Sequence, residues 1–506
     1  MTEEPIGSTG AVSHLPADWF ALDWHQAHRN VKRLQVRIVK ATQQERWGKV
    51  KALQRLLTRS FSAKALAVRR VTENQGNRTS GVDGERWATP ARKGAAIGQL
   101  RARGYQPQPL KRLYILKRNG GKRPLSIPTM KDRAMQALYL LALQPVAETI
   151  ADRSSFGFRL NRSVADAVER SFSLLSKRNS PTWVLEADIE SCFDRISHEW
   201  LLQYIPMEKT ILRQWLKAGY LEKGRWWPTD EGTPQGGIIS PVIANLALDG
   251  LEAHLKATFK KSRRKPDRGF NPKVHLVRYA DDFIITGYSE QILEEQVKPV
   301  VSAFLAERGL RLSASKTRIT AINNGFDFLG FTFRKFRAKL LIKPAKANVA
   351  AFLRSLWALI KSNKATSAGA LIAYPNPRIR GWTYFYRHVC SSKTFQRVDS
   401  ELFWALWRWA KRRHPGKGKR WIRRKYFAHH GTRRWTFSGT AVKPDGQVIR
   451  PRLFYASDVK IRRHSRIKEA ANPFDVQWEV YFEQRLSRQI QYTFRGQRQL
   501  EYLWQE

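Results

Sequence analysis

Cysteine is almost absent from the 506 residues. Only Cys192 and Cys390 occur, too few for a four-cysteine zinc site and too far apart for a zinc-knuckle spacing. That scarcity excludes a disulfide-stapled module and fits a reducing compartment, so the expected location is cytoplasmic. Long apolar runs are missing too: nothing approaches the roughly 18 residues that a membrane span needs. The start, Met1-Thr2-Glu3-Glu4-Pro5, is acidic and lacks the apolar core of a secretory leader. No membrane partner is expected. Acids are scarce as well, 42 Asp and Glu against 91 Lys and Arg, giving a formal net charge of +49. With 42% hydrophobic and 11% aromatic residues, the chain is not a disordered basic tail. Its charge must sit on folded surfaces, which points to a polyanionic partner. At about 150 residues per domain, the length predicts three to four domains.

The charge is unevenly placed. Between Phe328 and Pro444 there are 27 Lys and Arg and only two acids, Asp399 and Glu401, so this segment alone carries +25. Aromatic residues are interleaved with it, among them Trp357, Trp382, Tyr384, Phe385, Tyr386, Trp404, Trp407 and Trp409. At helical spacing most of these rings are expected in a core, leaving the rest to stack on bases or ribose. Residues 25–75 read as basic amphipathic helix, with Val31, Leu34 and Ile38 on one face and Val50, Leu53, Leu56 and Leu57 on another. Gly76 to Gly84 is a turn-rich break. Strands are expected at Leu113–Lys117, Trp183–Ile189 and around Gly325–Phe333, and a helix over Lys131–Thr149. Helix is expected onward to about Phe427, then loop from Lys443 to Pro473.

The sharpest chemical signal is the run His275 to Thr286 (HLVRYADDFIIT), two β-rich stretches flanking Asp281 and Asp282. It reads as a hairpin with two carboxylates at its tip. Adjacent acids are costly to bury unless a cation compensates, and hard oxygen ligands suit Mg²⁺. A third acid, Asp188, ends the apolar strand Trp183–Ile189 and precedes Phe193. A polymerase needs two metal ions roughly 3.5–4 Å apart, and acids from two neighbouring strands can bridge them. Asp188 with Asp281 supplies that pattern; Glu190 and Asp194 are rivals in the same segment. Between the acids lies Glu231 to Pro241 (EGTPQGGIISP), a Gly- and Pro-rich turn opening an apolar helix, whose amides suit a triphosphate or template strand. Upstream, Lys117 to Pro124 (KRNGGKRP) is a basic hairpin able to fold over triphosphate oxygens.

Taken in order, these motifs resemble group II intron reverse transcriptases, also called intron-encoded maturases. The resemblance rests on Gly157-Phe158-Arg159 before Asn161-Arg162-Ser163, Asp188 with Phe193, the TPQGG loop with Ser240-Pro241, the YADD run, and Gly325–Phe333. It covers the chain from about residue 25 onward. Two departures stand out: Leu160 follows Gly-Phe-Arg where the family commonly has Pro, and the tail has no cysteine after Cys390. The second departure implies a form lacking the HNH endonuclease.

The resemblance implies an α+β right-hand polymerase with an antiparallel palm sheet. A basic helical N-terminal extension is expected over 1–80, fingers and palm over 81–335, a helical thumb or maturase domain over 336–430, and a basic DNA-binding region over 431–506. By position, Asp188, Asp281 and Asp282 are the implied catalytic acids, with Asp188, Asp281 and the Ile189 carbonyl holding two Mg²⁺ ions. Lys117 and Arg123 are implied triphosphate cations, Phe193 the gate against a ribose 2′-OH, Gln235 the loop residue facing the incoming nucleotide, and Lys316 the palm-edge lysine. The run Arg412, Arg413, Lys417, Lys419 and Arg420 is assigned to RNA. The implied function is RNA-directed DNA synthesis with dNTPs, together with binding and splicing of the intron RNA and its insertion into a DNA target by target-primed reverse transcription. Two other readings stay open: a reverse transcriptase of a defence system, and an RNA-binding splicing factor without polymerase activity.

Overall fold

The structure is a computed structural model and describes residues 18–116, 120–261, 269–443 and 445–491. Its N-terminal part is three helices where the sequence suggested one amphipathic stretch: α1 (Trp24–Gln43), α2 (Trp47–Arg59) and α3 (Phe61–Thr72). The breaks have local causes. Glu45 takes a left-handed conformation, and Ser60 caps α3 by accepting from the Ala63 amide at 3.2 Å. Val31, Ile38, Val50, Leu53 and Leu57 are buried, whereas Leu56 falls off the stripe and is exposed. A short helix, α4 (Pro90–Gln99), follows.

Helices α1, α2 and α3 pack on α5 (Met130–Ile150), which is almost wholly buried, its few polar side chains included. Before α5 runs the hairpin β1 (Leu110–Leu116) and β2 (Lys122–Ile127); after it comes α6 (Val164–Leu175), opened by a Ser163/Asp166 capping box. Strand β3 (Trp183–Asp188) leads to α7 (Cys192–Arg195), α8 (His198–Tyr204) and α9 (Lys209–Leu216). Next, β4 (Tyr220–Glu222) and β5 (Arg225–Trp227) join the first hairpin in a sheet ordered β2-β1-β4-β5. Then α10 (Ser240–Leu248) and α11 (Leu251–Thr258) precede β6 (His275–Tyr279), β7 (Asp282–Gly287), α12 (Lys298–Ala306) and β8 (Arg318–Ala321).

The central sheet is antiparallel, ordered β6-β7-β3-β8. Its strands are covered on both faces, which explains their unbroken apolar runs. Alternation along each strand divides the molecule's interior in two. Leu185, Ala187, Leu276, Phe283 and Ile285 join the core shared with α5 and the N-terminal helices. Val184, Val277 and Ile284 join a second core shared with α6 and everything after residue 320.

That second half begins with the sheet β9 (Phe326–Phe328), β10 (Phe331–Phe336) and β11 (Lys339–Pro344). Strand β10 crosses the residue 335/336 boundary expected from sequence. Helices α13 (Lys346–Ser362), α14 (Ala368–Ala373), α15 (Pro375–Tyr386), α16 (Ser392–Arg413) and α17 (Lys419–Tyr426) follow, then the hairpin β12 (Phe427–His430) and β13 (Arg433–Phe437). Of the eight aromatic residues named above, only Tyr386 and Trp409 are buried; Trp382 and Trp407 pack partly buried on the same core and Trp357, Phe385 and Trp404 are exposed, so fewer lie in the core than expected. The last helix, α18 (Glu479–Gln491), returns to α1 through an ion pair between Lys32 and Glu479 at 2.5 Å. Among the described residues no helix is long and apolar enough to cross a membrane.

Two buried ion pairs hold the Gly-Phe-Arg loop and the central sheet to their neighbouring helices. Arg159 meets Glu148 of α5 at 2.8 Å with both side chains at most 5% exposed. Arg278 of β6, with no exposure at all, pairs with Asp249 and donates to Asn245 Oδ1 at 3.1 Å. Removing one partner of such a pair strands a buried charge. Arg278→Ala should therefore lower the unfolding free energy in denaturant titration by about 3–5 kcal/mol. A loss under about 1 kcal/mol would mean that Arg278 does not hold the sheet.

Candidate active site

The site is built where β3 and the β6–β7 hairpin meet. In the antiparallel register Asp188 lies directly opposite Asp282, so their side chains share one face of the sheet. Asp281 sits in the two-residue turn between Tyr279 and Asp282, a turn made possible by the left-handed conformation of Ala280 at φ 59°. Burial raises the pKa of Asp281, and the Asp188 charge adds to it. For Asp282, burial and then the charges of Asp188, Asp281 and Glu186 push the carboxyl up to about 7. Three acids thus lie within reach of one another's charge with too little positive charge around them. Lys316 supplies part of it, its ammonium 2.5 Å from Asp188 Oδ2, and its own pKa is raised by that bond. Arg123 of β2 lies near enough to Asp281 to lower its pKa.

This excess of hard, anionic oxygen is what a divalent cation would neutralise. The three carboxylates are near enough to feel one another's charge, yet among the described residues no three His, Cys, Asp or Glu side chains form a closed ligand set. The set therefore suits a metal that keeps water and substrate oxygens in its shell, as Mg²⁺ does. Ile189 stands beside these acids. The bonds flanking it run from the Ser313 amide to the Asp188 carbonyl, 2.8 Å, and from the Glu190 amide to the Arg311 carbonyl, 3.0 Å. Neither uses the Ile189 carbonyl. The two rival acids are engaged elsewhere: Glu190 makes a two-pronged pair with Arg311 at 2.7 and 3.0 Å, and Asp194 accepts from Gln235 Nε2 at 3.1 Å.

Gln235 belongs to the TPQGG loop, which is clamped to the first hairpin. The Ser126 amide donates to the Gln235 carbonyl at 2.6 Å, and a Cβ on Gly236 would lie 2.5 Å from the Ser126 carbonyl oxygen. Phe193, one turn after the acidic strand, is partly buried and packs edge-to-face on Phe158 with ring centroids 6.0 Å apart. Lys117 lies outside the described residues. Arg412, Arg413, Lys417, Lys419 and Arg420 lie far along the chain, at the end of α16, the following turn and the start of α17, all exposed. Within that run Arg413 is tied down, donating to the carbonyls of Lys364 and Thr366 at 3.0 and 2.8 Å.

Sequence reasoning missed the support beneath the turn. Asn245 Nδ2 donates to the Gly157 carbonyl at 2.8 Å while its Oδ1 accepts from Arg278, joining the Gly-Phe-Arg motif to the hairpin. The signal was present: Arg278 alternates with Leu276 on β6 and so points to the same buried face. Gly157 itself is pressed against the turn, for a Cβ there would fall 2.4 Å from the Ala280 amide nitrogen.

Three family models match in order along the chain: "N-terminal domain of reverse transcriptase" over residues 19–100, "Reverse transcriptase (RNA-dependent DNA polymerase)" over 115–333, and "Group II intron, maturase-specific domain" over 349–427. Protein YkfC of Escherichia coli is 33% identical over 312 residues, covering 54% of this chain and 81% of YkfC. The group II intron-encoded protein LtrA of Lactococcus lactis is 31% identical over 310 residues, 49% of this chain and 51% of LtrA, so the match spans about half of that relative. An uncharacterized 91 kDa protein in the cob intron of Schizosaccharomyces pombe is 29% identical over 44% of this chain and 34% of its own.

The close approach of Gly157 to Ala280 can be tested. Gly157→Ala should force the turn aside and destabilise the protein by about 1–3 kcal/mol, seen as a lowered melting temperature. Gly98→Ala, in a helix with open space around it, should be neutral or stabilising. Equal melting temperatures for Gly157→Ala and the parent would show that the turn has room to move.

Proposed function

Since the chain belongs to the group II intron-encoded reverse transcriptases and maturases, we propose that it copies RNA into DNA, binds the intron RNA that encodes it, assists its splicing and drives its insertion into DNA. The observation that carries the polymerase part is the register of the central sheet, which sets Asp188 opposite Asp282 beside the Asp281 turn.

In this reading Asp188, Asp281 and the Ile189 carbonyl would hold two Mg²⁺ ions, which when bound would lower the pKa of the primer 3′-OH and neutralise charge on the triphosphate. Asp282 adds negative charge from the facing position. Arg123, together with Lys117, binds the triphosphate oxygens, and Lys316 keeps a cation at the rim of the acids. Gln235 faces the incoming nucleotide and is oriented by Asp194. Phe193 is braced by Phe158 and so presents a rigid wall where a ribose 2′-OH would sit. The primer oxygen attacks the α-phosphorus, the new phosphodiester forms, and pyrophosphate leaves. RNA binding rests on the basic helices after residue 345, where phosphate contacts dominate affinity.

Asp281→Asn keeps the side-chain volume and removes a charge, so primer extension on a homopolymer template should slow at least roughly a thousandfold, a loss of several kcal/mol. Splicing support should survive in the same protein. Extension within about tenfold of the parent, ~1.4 kcal/mol, would remove Asp281 from the metal site. Separately, charge reversal at Arg412, Lys417, Lys419 and Arg420 should weaken intron RNA binding and flatten its salt dependence. An unchanged salt slope would leave this run a solvated surface.

A further inference from the structure

The turn that carries Phe193 and the loop that carries Gln235 are clasped together through their backbones. The Thr233 amide donates to the Phe193 carbonyl at 2.6 Å, and the Gly232 amide to the Ile196 carbonyl at 2.8 Å. Gln235 adds its side-chain bond to Asp194. The approach is as close as a backbone allows, since Gly232 stands at φ 81° and a Cβ there would lie 2.5 Å from the Asp194 carbonyl carbon and 2.6 Å from the Phe193 carbonyl oxygen. Any other residue at 232 would push loop and turn apart.

A side chain from neither segment closes the clasp. His198, at the start of α8 and only 8% exposed, places its Nε2 2.8 Å from the Gly232 carbonyl oxygen. A carbonyl can only accept, so Nε2 carries the proton and donates. Burial holds the pKa of the imidazole below its ordinary value, with the Gly232 bond opposing that shift, and the ring is neutral at pH 7. Its platform is fixed. The Ser197 amide donates to the Arg308 carbonyl at 2.9 Å, the Ser197 hydroxyl caps α8 by accepting from the Trp200 amide at 3.3 Å, and the Arg308 guanidinium lies 5.0 Å over the Trp200 ring.

We infer that His198 is a positioning residue for sugar selection: its hydrogen bond to Gly232 keeps the loop 232–235 seated on the turn, and the seated loop keeps Phe193 from retreating. The inference rests on the reading of Phe193 as the wall against a ribose 2′-OH, and extends it to what holds that wall. A wall excludes a hydroxyl only while it cannot yield, and at a reacting centre a shift of about 1 Å is worth up to about a hundredfold. Phe158 braces the Phe193 ring but is itself 48% exposed. The restraint on the backbone side is the clasp, and His198 supplies a bond to it that a substitution can remove without altering loop or turn.

The test uses the full chain on a primer–template with Mg²⁺ and measures kcat/KM for one dNTP and for the matching rNTP, scaled to the fraction of active enzyme. His198→Ala should lower the preference for the dNTP at least roughly tenfold, with kcat for the dNTP within about threefold of the parent. His198→Gln keeps a donor at the same reach and should restore most of the preference. His198→Leu, which fills the space of the ring without a donor, should behave like His198→Ala and stands in for it if the smaller residue unfolds the protein. A purely structural role would lower the active fraction and the melting temperature and leave the preference unchanged. Parent-like preference in the variants without a donor overturns the inference, as does a loss that His198→Gln does not repair. Phe193→Ala separates the two levels: a preference that falls there but not on loss of His198 removes His198 alone, whereas one unchanged in Phe193→Ala removes Phe193 as the gate.

Discussion

A guanidinium with no exposure to water lies under the acidic turn, and the geometry of the site depends on it. Arg278 pairs with Asp249, binds Asn245 and reaches the Ala280 carbonyl at 3.4 Å, so one side chain touches the helix, the strand and the turn together. Asn245 passes the constraint on to Gly157. Desolvating an ion is costly, and an apolar residue would fill the same space more cheaply. What an apolar residue lacks is direction. Two fixed hydrogen-bonding forks hold the turn at one height relative to β3, and the acids face one another only at that height.

How much of this was legible in the sequence follows from how local each signal is. The strand before Asp188, the hairpin around Asp281 and Asp282, and α5 could be read because apolar runs and turn residues are local signals. The breaks at Glu45 and Ser60 are local as well, yet weak beside the continuous basic amphipathic pattern that spans them. Lys316 reads as an ordinary surface residue, and only the β8 approach, with the Ser313 amide bonded to the Asp188 carbonyl, delivers it to the acids. The docking of 462–488 on α6 was not legible at all. It joins Asp166 to residues about 300 positions away through polar contacts that follow no period.

Those polar contacts bear on the charge of the whole. Of the few acids in the chain, Asp132, Glu148, Asp152, Asp166, Glu186, Asp249 and Glu252 are turned inward, each bonded to an arginine, a serine or threonine, or a backbone amide. Acids used inside cannot temper the surface. The field outside is set by cations whose counter-charges are structural, and it is strongest between residues 328 and 444, where only Asp399 and Glu401 oppose 27 Lys and Arg. Asp399 too is buried, holding the Ala456 and Ser457 amides.

The acidic turn is then a small negative island in a positive molecule, and that contrast is itself a constraint. A nucleic acid backbone drawn in by the surface would be repelled by three adjacent carboxylates unless cations stood between them. Lys316 and Arg123 are placed at the rim and weaken the repulsion without cancelling it, since the Asp282 pKa still stands near 7. The remaining imbalance is what the proposed metal site rests on, since a divalent ion would relieve it. Moving one more lysine into the centre would relieve the same crowding, while removing Lys316 would raise the cost of assembling the acids. The arrangement works because the fold, through Arg278, fixes where the two signs of charge meet.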